Sequence, residues 1–250
     1  IGDGATPELF RPLALGEAKI LSPDRAFEWP VDERDATLLL AEARTVAEGL
    51  RLDINLVATA HRRKKLLIAD MDSTIINVEC LDELADMAGL KPQIAAITER
   101  AMRGELEFEA ALRERVGMLK GLGLEALART YDERVRLNPG ATHLLATMRA
   151  HGAHTMLVSG GFGFFTKRVA AAAGFHEERG NILLDDGANL TGLVAEPILG
   201  REAKLEALES GAKSLGIDLS QTLAVGDGAN DLAMIQKAGL GEIGRASCRE

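Results

Sequence analysis

Aromatic residues are scarce in this sequence: they make up 4% of its 250 residues, with one tryptophan and one tyrosine. Aliphatic side chains must therefore supply most of the core, and a hydrophobic content of 46% allows a sizeable one. Cysteine is scarce too, because Cys80 and Cys248 are too few for a disulfide framework. This scarcity favours a reducing, cytoplasmic setting. No apolar run approaches the length of a membrane span and no signal peptide is visible, so we expect no membrane partner.

Positive charge is also in short supply. The 29 lysines and arginines face 38 acidic residues, which gives a formal net charge of −9. This balance argues against binding to nucleic acid, whose phosphate backbone requires a basic surface. A small anionic substrate remains allowed, because local positive groups can hold it. We therefore expect a small-molecule substrate and no nucleic acid, and the sequence leaves a homodimer open.

Residues 1–60 are predicted to form a partial N-terminal α+β unit. Glu33 to Leu50 has apolar residues at helical spacing, which predicts an amphipathic helix. Alternating apolar residues at 52–56 predict a strand. The basic run at 61–65 is interpreted as a solvated linker. The chain begins with Ile1, so we expect that the native N-terminus precedes it.

A different pattern begins at Leu66. Short apolar runs end at polar residues three times: Leu66–Ala69 before Asp70, Thr155–Val158 before Ser159, and Thr222–Val225 before Gly226-Asp227. Helical patterns follow the second and third runs, which predicts the α/β class with a doubly wound parallel sheet. In such sheets ligands bind beyond the carboxyl ends of the strands, so the three polar endings should meet there.

Long stretches of helical pattern separate the first two strands. They are expected to form a cap inserted at about 78–137, which could exclude water from a site at the sheet edge. The predicted cap helices are Val78–Ala88, Pro92–Arg103, Leu106–Leu119 and Leu124–Val135. Beyond the cap, Asp186-Gly187 predicts the turn of a hairpin formed by Ile182–Leu184 and Leu190–Val194.

Four carboxylates are predicted to lie near the same strand ends: Asp70, Asp72, Asp227 and Asp231. Because like charges repel, the group calls for a cation, and ligands that are all oxygen suit Mg²⁺. Taken singly, Asp70 and Asp72 could be turn residues and Asp231 a helix cap. Thr74 is expected to bond locally and steady the turn.

Candidate anion-binding groups accompany these acids. The segment "SGGF" (159–162) joins a strand to a helix, where a hydroxyl and backbone N–H groups can hold an anion. Lys204 and the segment "GDGAND" (226–231) could reach the same edge. Each also has a plainer interpretation. "SGGF" could be a simple strand-to-helix turn, Lys204 a solvated lysine and "GDGAND" a loop.

These motifs together resemble a known family. "DMDST" (70–74), "SGG" (159–161), Lys204 and "GDGAND" occur in the order of the four motifs of the haloacid dehalogenase superfamily of phosphotransferases. Within the insert, "ECLDELA" (79–85) and "AMRGELEFEAALRERVGMLKGL" (101–122) resemble the phosphoserine phosphatases of that superfamily. The resemblance covers about 66–241 and implies a Rossmann-like core with a helical cap.

The resemblance also implies roles for the acids. Asp70 would be the nucleophile that forms an aspartyl-phosphate, and Asp72 the general acid and then the base. Asp70, the main-chain carbonyl of Asp72 and Asp227 would be the Mg²⁺ ligands, with Asp231 supporting the metal from behind them. Lys204 would offset the charge of the phosphoryl group.

Substrate contacts follow from the same resemblance. Ser159, Gly160 and Asn230 would hold the phosphate, Arg115 the carboxylate and Glu79 the ammonium group of phosphoserine. Apolar lining would come from Met102 and Phe108. The implied reaction is Mg²⁺-dependent hydrolysis of O-phospho-L-serine, the last step of serine biosynthesis. Without the resemblance, plainer roles would be favoured. Glu79 would be a helix cap, Arg115 a surface charge, and Met102 and Phe108 part of the cap core.

Three alternatives remain open at this point. The chain could be a phosphatase for another small phosphomonoester, a phospho-accepting signalling module, or an inactive binding protein. The last arises because "EIGRASCRE" (242–250) departs from the family pattern and contains no apolar run able to form a strand. We therefore expect a missing C-terminal strand and a weakened fold, with 242–250 as a tail outside the family pattern.

Overall fold

The computed structural model describes residues 1–103, 105–200 and 202–243. The chain divides into two compact units, residues 1–62 and the residues from 63 onward. No helix in the described part has both the length and the apolar character needed to cross a membrane.

The N-terminal unit combines a helix with a small hairpin. Its core brings together the edge-on rings of Phe10, Phe27 and Trp29. The strand predicted at 52–56 is wrong, because this segment only exchanges two backbone hydrogen bonds with Ile1 through Asp53. The elements are a 3₁₀ helix at Pro7–Leu13, β1 at Lys19–Ser22, β2 at Ala26–Glu28 and α1 at Glu33–Val46.

Within the described residues, the second unit is built on a sheet of five strands, and their parallel arrangement agrees with the sequence prediction. In spatial order its strands are β5 (Glu177–Asn181), β4 (His154–Phe162), β3 (Leu66–Ala69), β8 (Thr222–Gly226) and β9 (Leu240–Ile243). Strand β3 is completely buried and pairs in parallel with both β4 and β8. The residues at the carboxyl ends of these three strands therefore meet at one edge of the sheet.

Helices cover both faces of this sheet. Leu67 and Ala69 pack with α6 (Ala141–Ala150) and α7 (Gly163–Ala173). Leu66 and Ile68 pack on the opposite face with α8 (Glu202–Ser214) and α9 (Leu232–Lys237). Each fully buried aliphatic side chain contributes about 1.5–3 kcal/mol. This arrangement confirms the predicted doubly wound α/β fold.

Among the described residues, four helices form the insert between β3 and α6. Its two connecting segments are held together, since Ile76 bridges Leu137 and the Asn138 amide donates to the carbonyls of Thr74 and Ile76. The cap also contacts a hairpin, because Leu190 exchanges backbone hydrogen bonds with residues 121 and 122. The cap helices are α2 Cys80–Met87, α3 Lys91–Met102, α4 Phe108–Met118 and α5 Glu125–Arg134, and the hairpin strands are β6 Leu183–Asp185 and β7 Leu190–Val194.

Two strand predictions need correction. Strand β4 does not stop before Ser159 but continues to Phe162, with an irregularity in its pairing with β5 after Val158. The prediction that the C-terminal strand is missing is also wrong, because Leu240–Ile243 forms β9 beside β8. Sheet pairing uses backbone groups, so a short edge strand forms without an apolar run. The rest of the predicted tail, 244–250 with Cys248, lies outside the described residues.

Candidate active site

Asp70 lies immediately after the central strand and is held by its neighbours. Its backbone N–H donates to the carbonyl of Val225 in β8 at 2.9 Å, and 5% of its surface is exposed. The Lys204 Nζ lies 2.8 Å from Asp70 Oδ1. Burial raises the pKa of Asp70 to about 7, against the opposing effect of the Lys204 ammonium. The carboxyl is therefore more basic than an exposed aspartate.

Asp231 anchors the other side of Lys204. Its Oδ1 lies 2.5 Å from Lys204 Nζ, and its Oδ2 accepts the backbone N–H groups of Asp227 and Gly228 at 3.1 and 3.0 Å. Both residues of the pair are buried. Burial lowers the pKa of Lys204, but the two carboxylates outweigh it and the net shift is upward. Because both its oxygens are engaged, Asp231 is suited to support Lys204 and the loop.

Three carboxylates are close enough to share a metal ion. Asp70, Asp227 and Asp231 each offer one oxygen, and these atoms all lie within 4.8 Å of one another. Burial and the nearby Asp231 carboxylate raise the pKa of Asp227, although Thr74 donates a hydrogen bond to it at 3.1 Å. Within the described residues, Lys204 is the only cation within 4.0 Å of the three acids. Excess negative charge and oxygen donors fit a hard divalent cation.

Asp72 lies two residues beyond Asp70 and faces the start of the cap. Its Oδ1 accepts the backbone N–H of Cys80, the first residue of α2, at 3.2 Å. Burial raises its pKa well above the usual value, and the Glu79 and Asp70 carboxylates raise it further. A carboxyl in this position retains a proton at pH values where an ordinary aspartate has lost it.

The segment Ser159-Gly160-Gly161 forms the irregular part of β4 and not the predicted turn. The Gly161 N–H is not free for an anion, because it donates to Ser159 Oγ at 2.9 Å. A methyl group on Gly160 would come 3.0 Å from the Phe108 ring, and one on Gly161 would come 2.9 Å from Asp72 Oδ2. A side chain at either position would have to displace Phe108 or Asp72, which favours glycine at both.

Glu79 lies directly before α2 and is steadied by Ser73. The Ser73 hydroxyl donates to Glu79 Oε1 at 2.6 Å, from a backbone with a left-handed φ of 53°. Strain of this kind often marks a functional position. Glu79 retains solvent contact, yet the surrounding protein desolvates its carboxyl and raises its pKa against the effect of Ser73.

Arg115 and Phe108 come from α4 of the cap. The Arg115 Nε donates to the carbonyl of Ala111 in its own helix at 3.2 Å. Desolvation lowers the pKa of Arg115, while Asp82 and Glu79 oppose the shift. Within the described residues, no carboxylate lies within 4.0 Å of the guanidinium. The side chain of Met102, which was predicted to line the substrate site, lies outside the described part of the structure.

The core and the cap enclose one cavity of about 140 Å³. Lys204 lies outside this lining and contacts Asp70, and Asp227 and Asp231 each have an oxygen within 4.8 Å of an Asp70 oxygen. Its lining from the core is Asp70, Asp72, Ser159, Gly160, Gly161, Phe162 and Asn230, and its lining from the cap side is Glu79, Leu81, Phe108, Leu112 and Arg115. The fold thus brings the predicted catalytic and substrate residues with described side chains to one place.

Sequence reasoning missed several contributors to this site. Ser73, which holds Glu79, lies within the "DMDST" motif, and its place in that motif could have marked it as a site residue. Asn181 bonds to Gly160 from the polar segment "EERGN" (177–181), which has no strand pattern. The expected local bond of Thr74 is made by its backbone, whose N–H donates to the Met71 carbonyl at 3.4 Å, whereas its hydroxyl donates to Asp227 at the end of the neighbouring strand.

Comparisons with known proteins agree with this geometry. A family model described as haloacid dehalogenase-like hydrolase matches residues 67–236. A solved structure described as a substrate-bound phosphoserine phosphatase complex superposes with a TM-score of 0.66 at 39% identity, covering 72% of this chain and 85% of that one.

Curated relatives carry the same name. A phosphoserine phosphatase of Archaeoglobus fulgidus is 42% identical over 86% of this chain and 64% of its own length. One of a Polaromonas species is 46% identical over 70% of this chain and 77% of its own length. The chain thus spans slightly less than two thirds of the archaeal relative and about three quarters of the bacterial one.

Proposed function

Because the chain belongs to the haloacid dehalogenase-like hydrolase family, as its motifs predicted, we propose that it hydrolyses O-phospho-L-serine to L-serine and phosphate. This reaction ends serine biosynthesis. One observation carries the proposal: a single cavity is lined by Asp70 and Asp72 on the core side and by Arg115 and Glu79 on the cap side. A nucleophile, an acid and groups complementary to an amino acid are thereby combined.

In the first step, an oxygen of Asp70 attacks phosphorus and the bond from phosphorus to the serine oxygen breaks. Asp72 donates its proton to that leaving oxygen, which releases neutral serine hydroxyl. The raised pKa of Asp72 supports this role, because the carboxyl must hold a proton until the bond breaks. The product on the enzyme is an aspartyl-phosphate at Asp70.

In the second step, Asp72 is a carboxylate and accepts a proton from a water molecule. The resulting hydroxide attacks phosphorus, the bond to Asp70 breaks, and phosphate leaves. Asp70 is restored as a carboxylate and Asp72 as an acid, so protons and electrons balance over the cycle. Ser159, Gly160 and Asn230 line the cavity where the phosphoryl group would lie.

The proposed cofactor is Mg²⁺, held by Asp70, Asp227 and the main-chain carbonyl of Asp72. Bound there, Mg²⁺ supplies positive charge that stabilises the phosphoryl oxygens. Asp231 has both oxygens engaged and supports the site through Lys204 and the backbone of Asp227. Lys204 neutralises part of the negative charge near Asp70.

Substrate choice is assigned to the cap. Arg115 can take the substrate carboxylate, because no protein carboxylate within the described residues occupies its guanidinium. Glu79 can take the ammonium group from the position fixed by Ser73. Phe108 lies against Gly160, a position from which an apolar ring can help to exclude water from the phosphate end.

Phosphate release tests this proposal. We expect turnover of phosphoserine that exceeds turnover of phosphothreonine and sugar phosphates, requires Mg²⁺ and disappears with a chelator. Asp70→Asn should lower kcat by roughly 10⁴-fold or more, because the amide is not a nucleophile. Asp132→Asn, an exposed residue of α5, is the matched control and should retain activity.

The alternatives give different results. Equal turnover of several small phosphomonoesters would indicate a phosphatase of broader range. A stable phosphorylated chain without turnover would indicate a phospho-accepting module. Full activity of Asp70→Asn would contradict the proposed mechanism.

A further inference from the structure

Asn181 is a buried amide that none of the reaction steps above uses. It ends β5, and 2% of its surface is exposed. Its Nδ2 donates to the carbonyl oxygens of Gly160 at 2.8 Å and Leu199 at 3.2 Å, and its Oδ1 accepts the Leu199 N–H at 2.8 Å. Every one of these partners is a backbone group, so the side chain holds two chain segments in place.

The bond to Gly160 fixes one particular peptide unit. Asn181 holds the carbonyl oxygen of the peptide between Gly160 and Gly161, and Ser159 Oγ holds its N–H at 2.9 Å. Glycine lies on both sides of this peptide, so rotation of the unit meets little steric resistance from its own residues. The two hydrogen bonds, and not sterics within the segment, therefore determine its orientation.

The orientation of this peptide matters for an anion. Gly160 and Gly161 line the cavity, whereas Asn181 is not among the described residues that line it. The carbonyl oxygen is thus directed towards the interior beside β5. Rotation of the peptide would turn a partial negative charge towards a bound phosphate and would leave the buried Nδ2 of Asn181 short of an acceptor.

The same peptide also orients Ser159. Because Ser159 Oγ accepts the Gly161 N–H, one of its lone pairs is occupied and its own hydrogen remains available to donate. Ser159 is 2% exposed, and that exposure is to the cavity that it lines. A rotated peptide would release this bond, and the hydroxyl would lose its preference for donating to the phosphate.

We propose that Asn181 is a positioning residue that keeps the Gly160 carbonyl out of the phosphate pocket and Ser159 ready to donate. The inference rests on the proposed function, since it assigns the phosphate to this pocket. Asn181 acts through the peptide and does not contact substrate. Its loss should therefore weaken phosphate binding more than it weakens the fold.

Inorganic phosphate binding tests this role without turnover. Asn181→Asp places a carboxylate oxygen where Nδ2 faces two carbonyls, so the peptide should be released. We expect the phosphate Kd, measured by calorimetry with Mg²⁺, to rise about tenfold or more, as loss of a buried hydrogen bond implies. The KM for phosphoserine should rise in parallel.

Thr222→Val is the matched control for a purely structural loss. Thr222 is fully buried at the start of β8, and its hydroxyl bonds to the Leu219 carbonyl and the Gly239 N–H away from the cavity. This variant should lower Tm and leave the phosphate Kd unchanged. The separation of Tm from Kd distinguishes positioning from general damage.

Two results would overturn the inference. One is a folded Asn181→Asp protein whose phosphate Kd equals that of the wild type. The other needs no variant: in the wild type, the Gly161 amide should be protected from hydrogen exchange, and exchange as fast as that of exposed loops would show the peptide to be unfixed. A wild type that binds phosphate but hydrolyses no phosphomonoester would instead contradict the proposed function alone.

Discussion

The core edge and the cap line the same cavity but hold their polar side chains differently. At the core edge, formed by the carboxyl ends of β3, β4 and β8 with the adjacent Lys204, the charged groups of Asp70, Lys204 and Asp231 are buried and bonded to one another. Arg115 and Glu79 of the cap are partly exposed, and the side chain of each makes one hydrogen bond, to the Ala111 carbonyl and the Ser73 hydroxyl respectively. The core half is therefore organised by its own contacts, whereas the cap half keeps bonding capacity for a ligand, as the proposed function requires.

The physical reason is the cost of burying charge. Desolvated ions such as Lys204 and Asp231 are tolerated only when each has several partners. Fixed charges that do not reorganise during the reaction are the most effective at stabilising a transition state. A group that must recognise a free substrate needs the opposite property, because a paired guanidinium would first have to break its protein contact.

Removing Lys204 should have the largest effect on this contrast. Lys204→Met leaves the carboxylates of Asp70 and Asp231 buried without their cation. We expect a loss of about 3–5 kcal/mol in the free energy of unfolding. Activity should also fall, by about 10²–10³-fold in kcat, as seen when a transition-state donor is removed. Denaturant unfolding and phosphate release measure the two effects.

Lys213→Met provides the control for that experiment. Lys213 lies in the same helix, α8, but is exposed. It should change neither stability nor activity noticeably, because exposed lysines contribute little. If Lys204→Met were as stable as Lys213→Met, the description of the core edge as a network of mutually dependent charges would be wrong.

Changing Arg115 should affect recognition and leave the fold intact. Arg115→Ala should lower kcat/KM for phosphoserine by about 10–100-fold through KM, the value expected for a lost hydrogen bond to a charged group. Phosphoethanolamine lacks the carboxylate, so its turnover should be unchanged. Thermal melting should shift little, in contrast with Lys204→Met.

Arg113→Ala serves as the neighbouring comparison. Arg113 is exposed and pairs with Glu109 and Glu196 outside the cavity. Arg113→Ala should leave the ratio of kcat/KM for phosphoserine to kcat/KM for phosphoethanolamine unchanged. An unchanged preference for phosphoserine over phosphoethanolamine in Arg115→Ala would remove Arg115 from the specificity argument.

The smallest effect is expected at His176, at the opposite end of the sheet. Its Nδ1 lies 3.1 Å from the Thr155 N–H and 2.8 Å from the Thr155 hydroxyl, an arrangement that requires neutral imidazole. Desolvation lowers the pKa of His176, and nearby His154 and Arg149 lower it further, while Glu177 opposes them. The stabilising contribution is therefore complete above the unfolded pKa of about 6.5 and is lost as pH falls through the lower folded pKa.

His176→Asn isolates that contribution. The asparagine Oδ1 can accept the same hydrogen bonds and does not titrate, so the variant should lose less stability than the wild type between pH 7 and 5. Melting curves across this range measure the difference. Identical pH dependence would show that His176 is not coupled to folding, and activity at pH 7 should be unaffected.

Much of the core edge was predictable from the sequence. Buried strands of a parallel sheet appear as apolar runs, and the polar residue after each run must lie at the carboxyl end. This logic placed Asp70 and Asp227 together, and the order of motifs added Lys204. The prediction that these residues belong to a haloacid dehalogenase-like protein is confirmed by the family match.

Features that depend on distant backbone groups were not predictable. Strand β5 is polar because it is an edge strand, so it has no apolar signature. The extension of β4 through Gly161 and the strand at Leu240–Ile243 depend on pairing partners far along the chain. Asn181 contributes through three backbone groups, which no spacing rule identifies.

The sequence by itself determined which residues could do chemistry and on which strand ends they would lie, since an apolar run and the polar residue that follows it are local features of the chain. The tertiary structure alone decided how those residues are bonded. It buried Lys204 between two acids, turned the Gly160 carbonyl towards Asn181 and left the Arg115 guanidinium without a protein carboxylate among the described residues. These outcomes require contacts between distant segments, and their energies depend on the burial that only the folded chain provides.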